Sequence, residues 1–79
     1  MAKEKIIRLN RAREIFPNEF SRIRAHDLIV KSTDKRLLKR EQEAMQSVAD
    51  EIRNGLFKHK NMDVLAIRKG RMIRIIPFD

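Results

Sequence analysis

The chain has 79 residues and a formal net charge of +8, from 19 Lys and Arg against 11 Asp and Glu. This length predicts a single small basic domain, residues 1–79. Hydrophobic residues make up 42% and charged residues 38%, and cysteine is absent, which excludes a disordered polar tail, a disulfide-stapled fold, a thiolate metal site and a membrane span of about 18 apolar residues.

Residues 4–16 are compatible with two structures. The apolar residues Ile6, Ile7 and Leu9 begin a pattern that continues through Phe16 at a spacing typical of a helix. The same three residues are also compatible with a short strand. The pattern leaves both open.

A short helix and a strand are predicted next. Pro17 fits the first turn of a helix, in which Phe20 and Ile23 would share a face with Phe16. The apolar run in residues 26–30 then predicts a strand that leads into the following helix.

One long helix is predicted from Lys35 to Asn54. Three good capping residues, 32–34, precede it, and the span contains neither Gly nor Pro. Gly55 suits the left-handed conformation that often follows a helix end. Apolar residues recur at helical spacing along one side, at Leu37, Leu38, Met45, Val48, Ala49, Ile52 and Leu56.

The C-terminal part is predicted to form a β-hairpin. Two runs rich in Val, Ile and Leu, 62–67 and 72–76, flank Lys69-Gly70. A two-residue turn at Lys69-Gly70 would place Ala66 opposite Ile73, whereas a three-residue turn would pair the strands differently. Both faces of the hairpin carry apolar residues, so we expect each face to contact something.

These elements predict an α+β fold: a small single domain with N-terminal helical segments, one long amphipathic helix and a C-terminal β-hairpin. Helices followed by a basic hairpin have the element order of a winged-helix domain. That likeness concerns the order of elements alone.

The positive charge is concentrated in two parts of the chain. Residues 1–31 and 57–79 each carry a net charge of +4, whereas residues 32–56 are neutral. Although residues 32–56 are neutral as a whole, several cations lie at the start of the long helix, where free backbone amides favour binding of a phosphate. Others crowd the hairpin tip, where Arg68 and Arg71 would face each other unfavourably. The candidate nucleic-acid-binding residues are Lys35, Arg36, Lys39, Arg40, Arg68, Lys69, Arg71 and Arg74.

A simpler interpretation competes with this one. The same cations could be solvated surface charges that only keep a small protein soluble. The N-terminal arginines are expected to add to a broad positive field rather than to act as specific ligands. They are Arg8, Arg11, Arg13, Arg22 and Arg24.

No catalytic, metal or cofactor site is predicted, so we expect a protein that is not an enzyme. His26 and His59 are the only histidines, and no cysteine is available to complete a metal site. Two glycines cannot build a phosphate-binding loop. Glu41 falls near the apolar side of the long helix, where we expect it to pair with an arginine of another element.

The favoured function is a regulatory protein that binds duplex DNA through its phosphates. Trp and Tyr are absent and the four Phe are expected in the core, which disfavours recognition by base stacking. The alternative is a protein-interaction module, an inhibitor or accessory subunit that docks on an acidic surface of a larger protein. We expect a cytoplasmic protein without a membrane partner, and a homodimer is a further option.

Overall fold

The computed structural model describes residues 4–54 and 63–77. Three helices and four strands lie in that part of the chain, and together they confirm the predicted α+β class. None of its helices is long and apolar enough to cross a membrane. In chain order the elements are β1 (Lys5–Arg8), α1 (Ala12–Ile15), β2 (Phe20–Arg24), α2 (Ala25–Lys31), α3 (Lys39–Arg53), β3 (Asp63–Lys69) and β4 (Met72–Pro77).

The four strands form one antiparallel sheet in the order β1-β4-β3-β2. Successive side chains of a strand point to opposite faces, and burial follows this alternation. Val64 and Ala66 of β3 and Ile73 and Ile75 of β4 are buried on the inner face. The predicted hairpin therefore forms the centre of the sheet, and the N-terminal strands β1 and β2 form its edges.

The helices pack on the inner face of the sheet. The apolar side of α3 is buried through Met45, Val48 and Ile52, which confirms the predicted amphipathic pattern. Near the end of α3, Glu51 forms an ion pair with Lys5 at the start of β1, at 3.0 Å. Because the start of α3 contacts the segment after β1, α3 runs antiparallel to that strand.

The start of the long helix was predicted too early. Leu38 is extended, and the helix begins at Lys39. Asp34 does not cap α3; it accepts hydrogen bonds from Arg36, and the amide of Leu37 donates to its carbonyl at 3.1 Å. Residues 34–37 form this turn, so Lys35 and Arg36 precede the helix. Gly55 and Leu56 lie outside the described residues.

The N-terminal part contains both of the structures that were left open. A strand, β1, is followed by one helical turn, α1. The predicted helix after Pro17 is wrong, because Phe20 and Ile23 belong to β2 and lie on opposite faces of the sheet. Pairing with β3 decides this conformation, and local sequence does not report such pairing.

The predicted strand at residues 26–30 is also wrong. These residues lie in α2, which buries Ala25 and Leu28 at helical spacing. The expectation that every Phe is in the core fails at Phe20, whose surface is 65% exposed. Phe16 is buried as expected, and residues 57 and 78 lie outside the described part.

The hairpin turn is Gly70-Arg71 rather than Lys69-Gly70. Lys69 pairs with Met72, and Ala66 pairs with Ile75 instead of Ile73. Gly70 has φ +62 and is the sole described residue with positive φ, as expected at the first position of a type II′ turn. Each residue of β3 pairs with a residue of β4 two positions further along the chain than predicted. Because two is an even number, the predicted division of side chains between the two faces of the sheet remains correct.

Candidate functional site

Residues 9–17 join the hairpin turn to the start of α3 at one end of the molecule. The amide of Leu9 donates a hydrogen bond to the carbonyl oxygen of Arg71, at 2.8 Å. The amide of the next residue, Asn10, donates to the carboxylate of Glu41 in the first turn of α3. Since Leu9 and Asn10 are consecutive, the turn and the helix start lie beside one short segment. We name this region, residues 9–17, 34–41 and 69–71, the basic end.

Glu41 anchors the start of α3. Its side chain is buried, with 4% of its surface exposed. One carboxylate oxygen accepts the amide of Leu38 at 2.9 Å, and the other accepts the amide of Asn10. The expected pairing with an arginine is therefore wrong among the described residues, because backbone amides occupy both oxygens. A negative charge in the first turn also suits the helix dipole.

A second set of contacts holds the 34–36 turn against α1. The guanidinium of Arg36 donates to the carbonyl oxygen of Glu14, at 3.2 Å, and to the carboxylate of Asp34, at 2.7 Å. Hydrogen bonds from the side chain and amide of Arg36 lower the pKa of Asp34 to about 2. Beside them, the ammonium of Lys31 donates to the carbonyl oxygen of Ile15, at 2.9 Å.

Most of the predicted cations meet at the basic end. Arg36 is paired with Asp34, as described above. The others lie exposed there and take part in no ion pair with the residues that the structure describes. They are Lys35, Lys39, Arg40, Lys69 and Arg71. The start of α3 and the hairpin turn thus lie beside the same short segment, residues 9–10.

The other two predicted residues are engaged by neighbouring groups. Arg68 is half-buried; its amide donates to the carbonyl oxygen of Glu19, at 2.7 Å, and its guanidinium reaches that of Pro17, at 3.4 Å. Arg68 lies opposite Ile73, so the expected repulsion from a facing Arg71 does not arise. Arg74 lies on the other face of the sheet, paired with Glu4 at 2.7 Å. That hydrogen bond holds the pKa of Glu4 below its ordinary value.

Sequence reasoning underrated Arg11, which directly precedes α1, and Arg13, which lies in it. Arg11 and Arg13 lie between the hairpin turn and the 34–36 turn, and both are exposed. Arg11 forms an ion pair with Glu14 at 3.0 Å, while Arg13 has no ion pair within the described ranges. The exposure of these arginines could have been predicted from the helical spacing of the apolar residues in this segment. When those apolar residues are buried, the arginines point to solvent. Those residues are Leu9, Ala12, Ile15 and Phe16.

The described residues of the basic end provide positive charge but no arrangement of side chains typical of a catalytic or metal site. In the described part of the chain, no group of His, Asp or Glu side chains is placed to hold a metal ion. His26 is exposed on α2, and position 59 lies outside the described residues. What this end can do is attract and hold an anion.

Comparison of the chain with protein-family models, curated proteins and solved structures finds no significant match. The arrangement of its own residues is therefore the basis for a proposed function.

Proposed function

We propose that the protein binds duplex DNA through phosphate contacts at its basic end, as a regulatory protein would. The observation that carries this proposal is the pair of hydrogen bonds from Leu9 to Arg71 and from Asn10 to Glu41. They place the hairpin turn and the start of α3 side by side. Cations from both can then reach neighbouring phosphates, which position a protein on a duplex.

The electrostatics of the helix start support the same proposal. Lys39 and Arg40 occupy the first turn of α3, where the helix dipole disfavours each cation by about 0.3–1 kcal/mol. A bound phosphate reverses this penalty, because an anion is favoured at a helix N-terminus and pairs with the cations as well. A surface that served solubility alone would not need to gather its charges where they repel each other.

The character of the basic end favours phosphates over bases. Its single aromatic residue, Phe16, is buried, so no described side chain at this end is available for stacking. Unpaired bases are held mainly by exposed aromatic side chains. Duplex phosphates require only positive charge in a suitable arrangement.

A salt titration with paired variants tests the proposal. A short labelled duplex would be bound by the unmodified protein, and the affinity would fall steeply with added salt because each neutralised phosphate releases counterions. The double variant Lys39→Ala/Arg71→Ala should lower the slope of log K against log salt by about two, roughly one for each lost phosphate contact.

The matched control is Lys5→Ala/Arg24→Ala. It removes one lysine and one arginine, like the test variant, but from the opposite end of β1 and β2. Its salt slope should stay close to that of the unmodified protein. Equal decreases of the salt slope in both variants would mean that the protein attracts DNA only through its overall charge. Absence of binding at low salt would refute the proposal.

A further inference from the structure

The outer face of the sheet, opposite the helices, is covered by no described element. Backbone pairing aligns Phe20, Ile67, Arg74 and Ile6 in one row across all four strands. Three of the face's apolar side chains are largely exposed: Phe20 at 65%, Ile6 at 58% and Met72 at 41%. The other apolar residues of the face are half-buried, namely Leu65, Ile67 and Ile76.

Such a face is unusual for a small protein that acts alone. A sheet is normally stabilised by burying its apolar face against a second layer, and contiguous exposed apolar patches mark interaction sites. Here the described helices cover one face only. The second face therefore has the character of a surface that meets a partner.

The charge on the outer face selects the partner. Four arginines project from it, at positions 8, 22, 24 and 74. Its carboxylates are already engaged, since Glu4 pairs with Arg74 at 2.7 Å and Asp63 pairs with Arg22 at 2.8 Å. Neither Arg8 nor Arg24 has an ion pair within the described ranges. The face therefore carries unbalanced positive charge around its apolar residues.

A second copy and a single-stranded nucleic acid fit this face poorly. Packing two copies face to face would bring arginines against arginines, and like charges across an interface are strongly unfavourable. Unpaired bases require aromatic platforms, but Phe20 is the single aromatic among the described residues of this face. Its remaining apolar side chains are aliphatic, which suits the aliphatic side chains of a protein.

The dimensions suit a helix. Strands in a sheet lie about 4.8 Å apart, so the row from Phe20 to Ile6 spans roughly 14 Å. An α-helix with its side chains is about 10–12 Å wide. One helix can therefore lie along this row, in which Arg74 is already paired with Glu4, with Arg8 and Arg24 at its sides.

We propose that the outer face binds an acidic amphipathic helix of another protein. The apolar side of that helix packs on Ile6, Phe20 and Met72, and its carboxylates pair with Arg8 and Arg24. This site adjoins the basic end, because Met72 pairs with Lys69, but it does not depend on DNA binding.

Two designed peptides test the proposal against the full chain. Both are amphipathic helices with the same leucine stripe; one is flanked by glutamates and the other by lysines. In NMR titrations the glutamate peptide should bind and shift the amide signals of Ile6, Ile67 and Met72, and the lysine peptide should not. Failure of the glutamate peptide to bind, or equal binding by both, would overturn the proposal.

Matched variants locate the site. Phe20→Ser should weaken binding of the glutamate peptide at least about tenfold, since an aromatic side chain often carries much of such an interface. Val30→Ser is the control, because Val30 is 55% exposed but lies on α2; it should leave binding unchanged. Unchanged binding after Phe20→Ser would overturn the proposal.

The competing occupants give distinct results. A dimer that forms with rising concentration and is lost in Phe20→Ser would assign the face to a second copy. Outer-face shifts caused by a thymidine oligonucleotide, in place of the peptide, would assign it to unpaired bases. Either result overturns the proposal. The Lys39→Ala/Arg71→Ala variant should bind the peptide normally, so failure at one site is distinguishable from failure at the other.

Discussion

The amide of Asn10 donates a hydrogen bond to the carboxylate of Glu41, which lies 31 residues further along the chain. The same carboxylate accepts the amide of Leu38 at the start of α3. One buried side chain thus determines where the long helix begins and holds that point against the segment after β1. The position of the basic end depends on this contact.

Replacing Glu41 by alanine should destabilise the protein. The change leaves two amides without their acceptor, which costs about 1–3 kcal/mol when such groups are buried. Urea unfolding would measure the loss. Glu43→Ala, on the exposed side of the same helix, is the control and should change stability by less than about 0.5 kcal/mol. Equal effects of the two substitutions would contradict the anchoring role of Glu41.

Replacing Gly70 by alanine should weaken the hairpin. A side chain at this position meets no atom within 4 Å, so the cost comes from the backbone φ of +62 alone. L-residues other than glycine rarely adopt this backbone conformation, and holding one there costs roughly 1–3 kcal/mol. Asparagine tolerates positive φ better, so Gly70→Asn should lower the melting temperature less than Gly70→Ala. The reverse order would refute the assigned turn.

Acid stability should depend on Asp34. Its pKa is lowered to about 2 in the folded protein, against about 3.9 in an unfolded chain. The carboxylate therefore stabilises the fold fully above about pH 4, and this contribution disappears as the pH falls towards 2. In Asp34→Asn, thermal melts should show a smaller loss of stability between about pH 4 and pH 2. Asp27→Asn removes another carboxyl from an exposed site and serves as the control. Identical pH profiles of stability for Asp34→Asn and the unmodified protein would exclude this role of Asp34.

The two faces of β4 should respond differently to the loss of one methylene. Ile73 is fully buried against the helices, whereas Ile76 lies half-buried on the outer face. Ile73→Val should cost about 0.5–1.5 kcal/mol, as is usual in a core. Ile76→Val should cost less, and chemical denaturation would compare them. A larger cost at Ile76 would mean that the face assignment is wrong.

Much of the fold follows from local patterns. The helical spacing of Met45, Val48 and Ile52 predicted a helix with one buried side, and the alternation of Val64 and Ala66 predicted a strand with one buried face. Both elements are present in the structure. Periodicity reports which side of an element is apolar, and it needs no knowledge of the rest of the chain.

Other features could not be read locally. Phe20 and Ile23 form a strand because β3 lies beside them. The helix α3 begins at Lys39 because the carboxylate of Glu41 accepts hydrogen bonds from the nearby amide of Leu38 and the distant amide of Asn10. The hairpin register was misjudged by two residues, since the division into faces is the same in both registers.

The sequence by itself determined the surplus of positive charge, the amphipathic helix and the two-faced hairpin, because composition and periodicity are properties of short stretches. Only the tertiary structure decided which cationic segments are neighbours and which apolar face the described helices leave uncovered. Those outcomes depend on hydrogen bonds and strand pairs between residues far apart in the chain, such as Leu9 with Arg71 and Phe20 with Ile67. Contacts of that range are set by how the elements pack together.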